Sequence, residues 1–131
     1  MFHIDEVMDK DKATNLSPVV LAFVGDAVYS LFVRERLTFY SDRKTGELNK
    51  LAVKEVNASA QALFFKEIES LLTEEELIVF KRGRNAKKST RSKSATVMEY
   101  NISTGFEAVL GFLYLTGNKE RLNFLLNKGI K

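Results

Sequence analysis

Residues 16–33, LSPVVLAFVGDAVYSLFV, are almost all apolar or small, and they carry a single ionisable side chain, Asp26. Ser17 suits an N-cap, Pro18 suits a first helical turn, and nothing after Pro18 breaks a helix until well beyond Arg36. The pattern predicts one long, largely buried helix over residues 16–37. On it, Ala22 and Phe23 lie one turn before Asp26, and Tyr29 and Ser30 one turn after. Ala22, Ser30 and the adjacent Gly25 are small, which leaves space around the carboxylate. An unpaired ionised carboxylate is very costly in an apolar interior, so Asp26 is paired with a base, held neutral or bound to a cation. A membrane span is another reading of about 18 apolar residues. A mid-span Asp opposes it, at about 2.5–3.5 kcal/mol on insertion scales, and no other segment supports insertion.

Composition narrows the architecture. The 131 residues hold one proline and seven glycines, with long runs of Ala, Leu, Lys and Glu and no alternating strand pattern, which argues for an all-helical fold. A chain of this length, 45% hydrophobic and 28% charged, suits one soluble domain with a proper core. The absence of cysteine excludes disulfides, thiolate zinc sites and a cysteine nucleophile, so any metal must be held by oxygen ligands. The one histidine, His3, sits near the start, which argues against histidine-centred catalysis. The opening MFHIDEVMDKDKATN mixes acids and bases without a continuous apolar core, so it does not read as a secretory signal, and the expected compartment is the cytoplasm.

A second helix is expected over residues 45–71. Leu48, Leu51, Ala52, Val56, Ala60, Leu63, Phe64 and Ile68 form its apolar face, with Val53, Ala62 and Phe65 off that stripe. Thr73 and Glu76 have capping-box spacing, so a third helix starts at Glu74 and carries Leu77, Ile78 and Phe80 inward. Helix resumes near Ala95, and STGFEAVLGFLYL, residues 103–115, is strongly apolar around one ionisable residue, Glu107. Ser103, Thr104, Leu110 and Gly111 flank Glu107 by one turn, and most of them are small. Gly117 ends this helix, and Asn118 caps a last one in which Leu122, Leu125 and Leu126 close the core.

Between the third helix and residue 95 lies KRGRNAKKSTRSK. Residues 81–93 hold Lys81, Arg82, Arg84, Lys87, Lys88, Arg91 and Lys93 with no acid, against a net charge of +3 for the whole chain, so the remainder is net acidic. Such a segment, with Asn85 and its Ser, Thr and Gly neighbours, suits phosphates, the alternative being a solvated loop. No aromatic residue interleaves with the charges, which favours backbone recognition of a duplex over base stacking on single strands. Asp26 and Glu107, each on an apolar helix among small side chains, could meet in the folded domain. Like charges at close range call for a shared proton or a cation, and Mg2+ accepts few carboxylates together with waters and phosphate oxygens. The competing account pairs each acid with an Arg or Lys.

LAFVGDAVYSLFVRERL around Asp26 resembles the ribonuclease III signature, in which an apolar and acidic lead-in meets Gly-Asp. TGFEAVLGFLYL resembles that family's second acidic motif, and the likeness continues through KTGELNKLAVKEVNA between them. RGRNAK with its Ser/Thr/Lys-rich sequel is similar more specifically to the Mini-ribonuclease III branch. The resemblance covers residues 16–126. It implies an all-α ribonuclease III-type endonuclease domain acting as a homodimer, with magnesium-dependent hydrolysis of double-stranded RNA to 5′-phosphate and 3′-hydroxyl ends. It further implies Asp26 and Glu107 as metal-binding catalytic carboxylates, Phe23 as a dimer contact, and residues 81–93 as a loop that embraces the duplex. The implied substrate is the large-subunit (23S) ribosomal RNA precursor, for which a ribosomal protein could serve as presenter.

Two departures from the full-length enzymes stand out. Ala22 and Thr104 occupy positions where that family carries acids, so a single-metal site is expected. The reading is of one domain over residues 1–131, with no appended double-stranded RNA-binding domain. Both departures are features of the mini branch. A non-catalytic, ribonuclease III-like duplex-binding assembly factor is the main rival, and a basic adaptor for an acidic protein is a third reading.

Overall fold

The computed structural model describes residues 1–88 and 95–130, and every regular element among them is helical. In chain order these are α1 (Lys10–Asn15), α2 (Pro18–Phe39), α3 (Thr45–Val56), α4 (Ala58–Ile68), a 3₁₀ turn (Glu69–Leu71), α5 (Glu74–Asn85), α6 (Val97–Leu115) and α7 (Lys119–Gly129). Short polar caps set several of these boundaries. Ser17 Oγ accepts from Val19 N–H at the start of α2, with Pro18 in the first turn. Thr73 and Glu76 form the expected capping box of α5, and Thr96 and Glu99 form a second one that starts α6. Gly117, at φ +74°, ends α6 in the left-handed region that glycine adopts freely. Asn118 precedes α7, although its side chain makes no capping hydrogen bond.

The helix expected over residues 45–71 is two helices. Asn57 is extended, at φ −73° and ψ 161°, and its Oδ1 accepts from Ala60 N–H, so it closes α3 and opens α4. The break rotates the inward face: Ala62 and Phe65, off the original stripe, are buried, whereas Leu63, on it, is exposed. In α5 the inward residues are Glu76, Val79 and Phe80; Ile78 points to solvent and Leu77 is half-buried. The polar start contains α1, whose Ala13 is fully buried and whose neighbouring Met8 N–H donates to Leu115 O at 2.8 Å.

Helix α6 is the centre of the molecule. Apart from Glu107, its residues 103–113 are all buried, as expected of a helix that is apolar on every side. Helices α2, α5 and α4 make the most extensive contacts with it, and α7 closes one end with Leu122, Leu125 and Leu126. Phe106 is the aromatic hub, with Tyr29 of α2 edge-on at 5.3 Å and Phe64 and Phe65 of α4 at 5.5 and 6.2 Å. α2 is less buried than its composition predicts: Leu21, Ala22, Gly25, Tyr29 and Val33 face α6 and the core, while Phe23 and Leu31 are exposed. No helix among the described residues is long and apolar enough to cross a membrane.

Candidate active site

Asp26 and Glu107 meet because α2 and α6 cross with their backbones nearly touching. Gly25 of α2 lies against Glu107 and Gly111 of α6, and Gly111 lies against Leu21 and Gly25 of α2. A β-carbon on Gly25 would collide with the Glu107 carbonyl oxygen, and one on Gly111 with the Leu21 carbonyl oxygen. These glycines therefore do not leave open space around the carboxylates. They let the two helices close until the side chains one residue beyond Gly25 and one turn before Gly111 face each other.

The two acids differ in surroundings. Asp26 is exposed on α2, whereas Glu107 is largely enclosed. Burial, hydrogen bonding to Asp26 and the charge of Asp26 push the Glu107 carboxyl up to about 9, and a hydrogen bond from Gln61 opposes them. Among the described residues neither Asp26 nor Glu107 has an ion-pair partner. Glu76 shows the alternative that Glu107 lacks. Burial raises its carboxyl too, but Arg121 donates to both of its oxygens, at 2.8 and 2.9 Å, and with the Thr73 cap brings it below the ordinary value. Glu76 is therefore paired with a base, whereas Asp26 and Glu107 face each other.

Such a pair holds a proton or a cation. The residues fit Mg2+: two adjacent oxygen donors, one of them open to solvent, with no ion-paired base among the described residues. Among the described residues there is no group of three or more acidic, His or Cys side chains, so the pair leaves most of a cation's coordination to water and phosphate oxygens. Ala22 and Thr104 add no ligand here. Ala22 is buried against the core, and Thr104 Oγ1 donates to the Tyr100 carbonyl at 3.0 Å.

Without metal, Glu107 makes stability pH-dependent. The folded chain keeps its proton up to about pH 9, while the unfolded chain releases it near 4.5. Between those values the native state holds the extra proton, so this group's contribution to stability falls as pH rises. Thermal melts in chelator should therefore show wild type losing more Tm between pH 5 and pH 8 than Glu107→Gln, which keeps the shape without the titration. Equal losses in the two proteins would mean that Glu107 ionises like an exposed acid.

Gln61 on α4 is the third polar group at the pair, and it is absent from the sequence reading. Its Nε2 donates to Glu107 Oε2 at 3.3 Å, and the residue is 2% exposed. The signal for it is faint: one uncharged amide in the run from Ala58 to Phe65, in a segment whose inward face shifts at Asn57.

The basic residues do not form a single loop. Lys81, Arg82, Arg84 and Asn85 lie in the last turns of α5, where positive charge also complements the helix dipole, and Lys87 and Lys88 follow it. Arg82 donates to the carbonyls of Thr14 and Leu16 at 2.8 and 3.5 Å, tying the α1–α2 connector to α5. Arg84 sits over the Phe80 ring and donates to Asn85 Oδ1. Lys88 Nζ donates to the carbonyls of Arg84 and Ala86. Lys81 and Lys87 are exposed, while Arg91 and Lys93 lie outside the described residues. Phe23, one turn before Asp26, is 79% exposed.

Comparison with known proteins gives one answer. Residues 19–118 match the ribonuclease III domain family. Mini-ribonuclease 3 of Thermoanaerobacter sp. (strain X514) is 45% identical over 126 residues, covering 96% of this chain and 89% of that protein. Mini-ribonuclease 3 of Clostridium tetani is 40% identical over 126 residues, covering 95% and 83%. A crystal structure of a Fusobacterium nucleatum protein superposes with a TM-score of 0.79 at 36% identity, over 86% of this chain and 90% of that one. Fold, acidic motifs and relatives agree, and the chain belongs to the Mini-ribonuclease III branch of the ribonuclease III family.

Proposed function

We propose that this chain is a magnesium-dependent endoribonuclease that cleaves double-stranded RNA, and that in the cytoplasm it matures the large-subunit (23S) ribosomal RNA precursor. The observation that carries the reading is the Asp26–Glu107 pair, two carboxylates at a close helix crossing with no ion-pair partner among the described residues. Asp26 and Glu107 would hold Mg2+. When bound, the ion lowers the pKa of a water and polarises the phosphodiester. Glu107 would hold the ion as the ionised carboxylate, and Asp26, exposed on α2, would be its solvent-facing partner. Hydrolysis that breaks the P–O3′ bond leaves 5′-phosphate and 3′-hydroxyl ends.

The working unit is a homodimer, each subunit cutting one strand. Supporting this, Phe23, one turn before Asp26, and Val19 and Val20, in the first turn of α2, are exposed apolar side chains that a second copy would cover. Lys81, Arg82, Arg84, Asn85, Lys87, Lys88, Arg91 and Lys93 would engage phosphates along the duplex, and a ribosomal protein could present the substrate.

The test is incubation of the purified chain with long double-stranded RNA at low salt, with Mg2+ or with chelator. Cutting is expected with Mg2+ alone. Duplex affinity measured in chelator should fall by about 10³-fold between roughly 50 and 200 mM salt, as for a site built on several phosphate contacts. Tight, salt-sensitive duplex binding without cutting would overturn the nuclease reading in favour of a non-catalytic assembly factor, to which the missing acids at Ala22 and Thr104 also point.

A further inference from the structure

Gln61 is held in a way that packing alone does not require. Its two amide protons have separate acceptors, Glu107 Oε2 at 3.3 Å and the Val56 carbonyl at 3.1 Å. Val56 is the last residue of α3, so its carbonyl has no partner further along that helix and is free to accept a side-chain donor. Both acceptors demand the nitrogen end of the amide; turning it over would set Oε1 against a carbonyl and a carboxylate. The consequence is visible at the other end, where Gln61 Oε1 is buried with no hydrogen-bond partner among the described residues. Leu or Met would fill the same space without burying the unpaired Oε1.

We propose that Gln61 is a positioning residue for the cation site: it ties Glu107 Oε2 to the C-terminal end of α3 and so fixes the carboxylate in the orientation that faces Asp26. The inference rests on the nuclease reading and deepens it. Three helices converge on one carboxylate, with α6 carrying it, α2 supplying its partner acid and α4 supplying the clamp. Without the clamp Glu107 keeps its place in the sequence and loses its orientation, and the two acids no longer present their oxygens together.

The experiment compares wild type with Gln61→Met, which keeps length and bulk without the donor, and with Gln61→Asn, which keeps the amide but is one methylene too short to span both acceptors. Mn2+ binding to the protein alone is measured by calorimetry, alongside the Mg2+ concentration for half-maximal cleavage, duplex affinity in chelator and the urea midpoint. Both variants should bind Mn2+ about 10–100-fold more weakly and need correspondingly more Mg2+, with duplex affinity unchanged. A merely structural role would lower the urea midpoint and leave the Mn2+ affinity of the folded protein alone. Wild type that binds Mn2+ and cleaves, with folded variants indistinguishable from it in both, overturns the assignment of Gln61 alone. Wild type that neither binds Mn2+ nor cleaves overturns this assignment and the nuclease reading together.

Discussion

Cleavage of duplex RNA should fall by about 10³-fold or more when Asp26 is replaced by Asn, while the helical fold stays intact. The two halves of that result have separate causes. Asn matches Asp in shape, and position 26 is exposed on α2, so no packing is lost. The substitution also removes the charge and the hydrogen bond with which Asp26 raises Glu107, so in the metal-free variant Glu107 should titrate lower and stability should fall less between pH 5 and pH 8 than in wild type. Function moves the other way, because Asp26 is the solvent-facing half of a site with only two acids. A residue kept for stability shows the reverse pattern, losing fold and activity together. Melting curves and single-turnover cleavage on the same preparations separate the cases, and an Asp26→Asn protein that still cuts at the wild-type rate would sink the proposed mechanism.

The acids were legible because each is a local anomaly. A lone carboxylate in an apolar helix is a conflict between composition and burial that can be read without knowing the fold, and both Asp26 and Glu107 carry it. Chain punctuation was legible for the same reason: the caps at Ser17 and Thr73 and the glycine stop at Gly117 act on their own neighbours. What escaped depends on residues far apart in sequence. Asn57 serves equally within a polar helix face and as a cap, and which role wins is decided by the packing of α3 and α4, so the break there and the burial of Ala62 and Phe65 were not visible. Ile78 lost its inward place to Glu76, whose burial requires Arg121, 45 residues away. Gln61 became part of the site only once that break had set the phase of α4 against α6. The basic run was legible as charge, but not as the end of a helix in which Arg82, Arg84 and Lys88 already serve hydrogen bonds.

The same substitution, glycine to alanine, should have opposite signs at two positions, and the contrast tests how the site is assembled. At Gly46 on α3 nothing lies within 4 Å of an added methyl, so Gly46→Ala should stabilise by up to about 1 kcal/mol through helix propensity and reduced freedom of the unfolded chain. At Gly111 the same gain is overwhelmed. The methyl meets the Leu21 carbonyl oxygen of α2, which is backbone and cannot swing aside as a side-chain tip would, so the two helices must part. Parting them loosens Leu21, Tyr29, Phe106 and Leu110, all 2% exposed or less, and overpacking of this kind costs about 3 kcal/mol. The net loss, on the order of 2 kcal/mol after the propensity gain, should appear as a lower urea midpoint. Cleavage by the fraction that remains folded should drop as well, because the displacement falls on the crossing that holds Asp26 against Glu107. A Gly111→Ala protein with wild-type stability and wild-type cleavage would mean that α2 and α6 are not in backbone contact, and the apposition of the two acids would lose its structural cause.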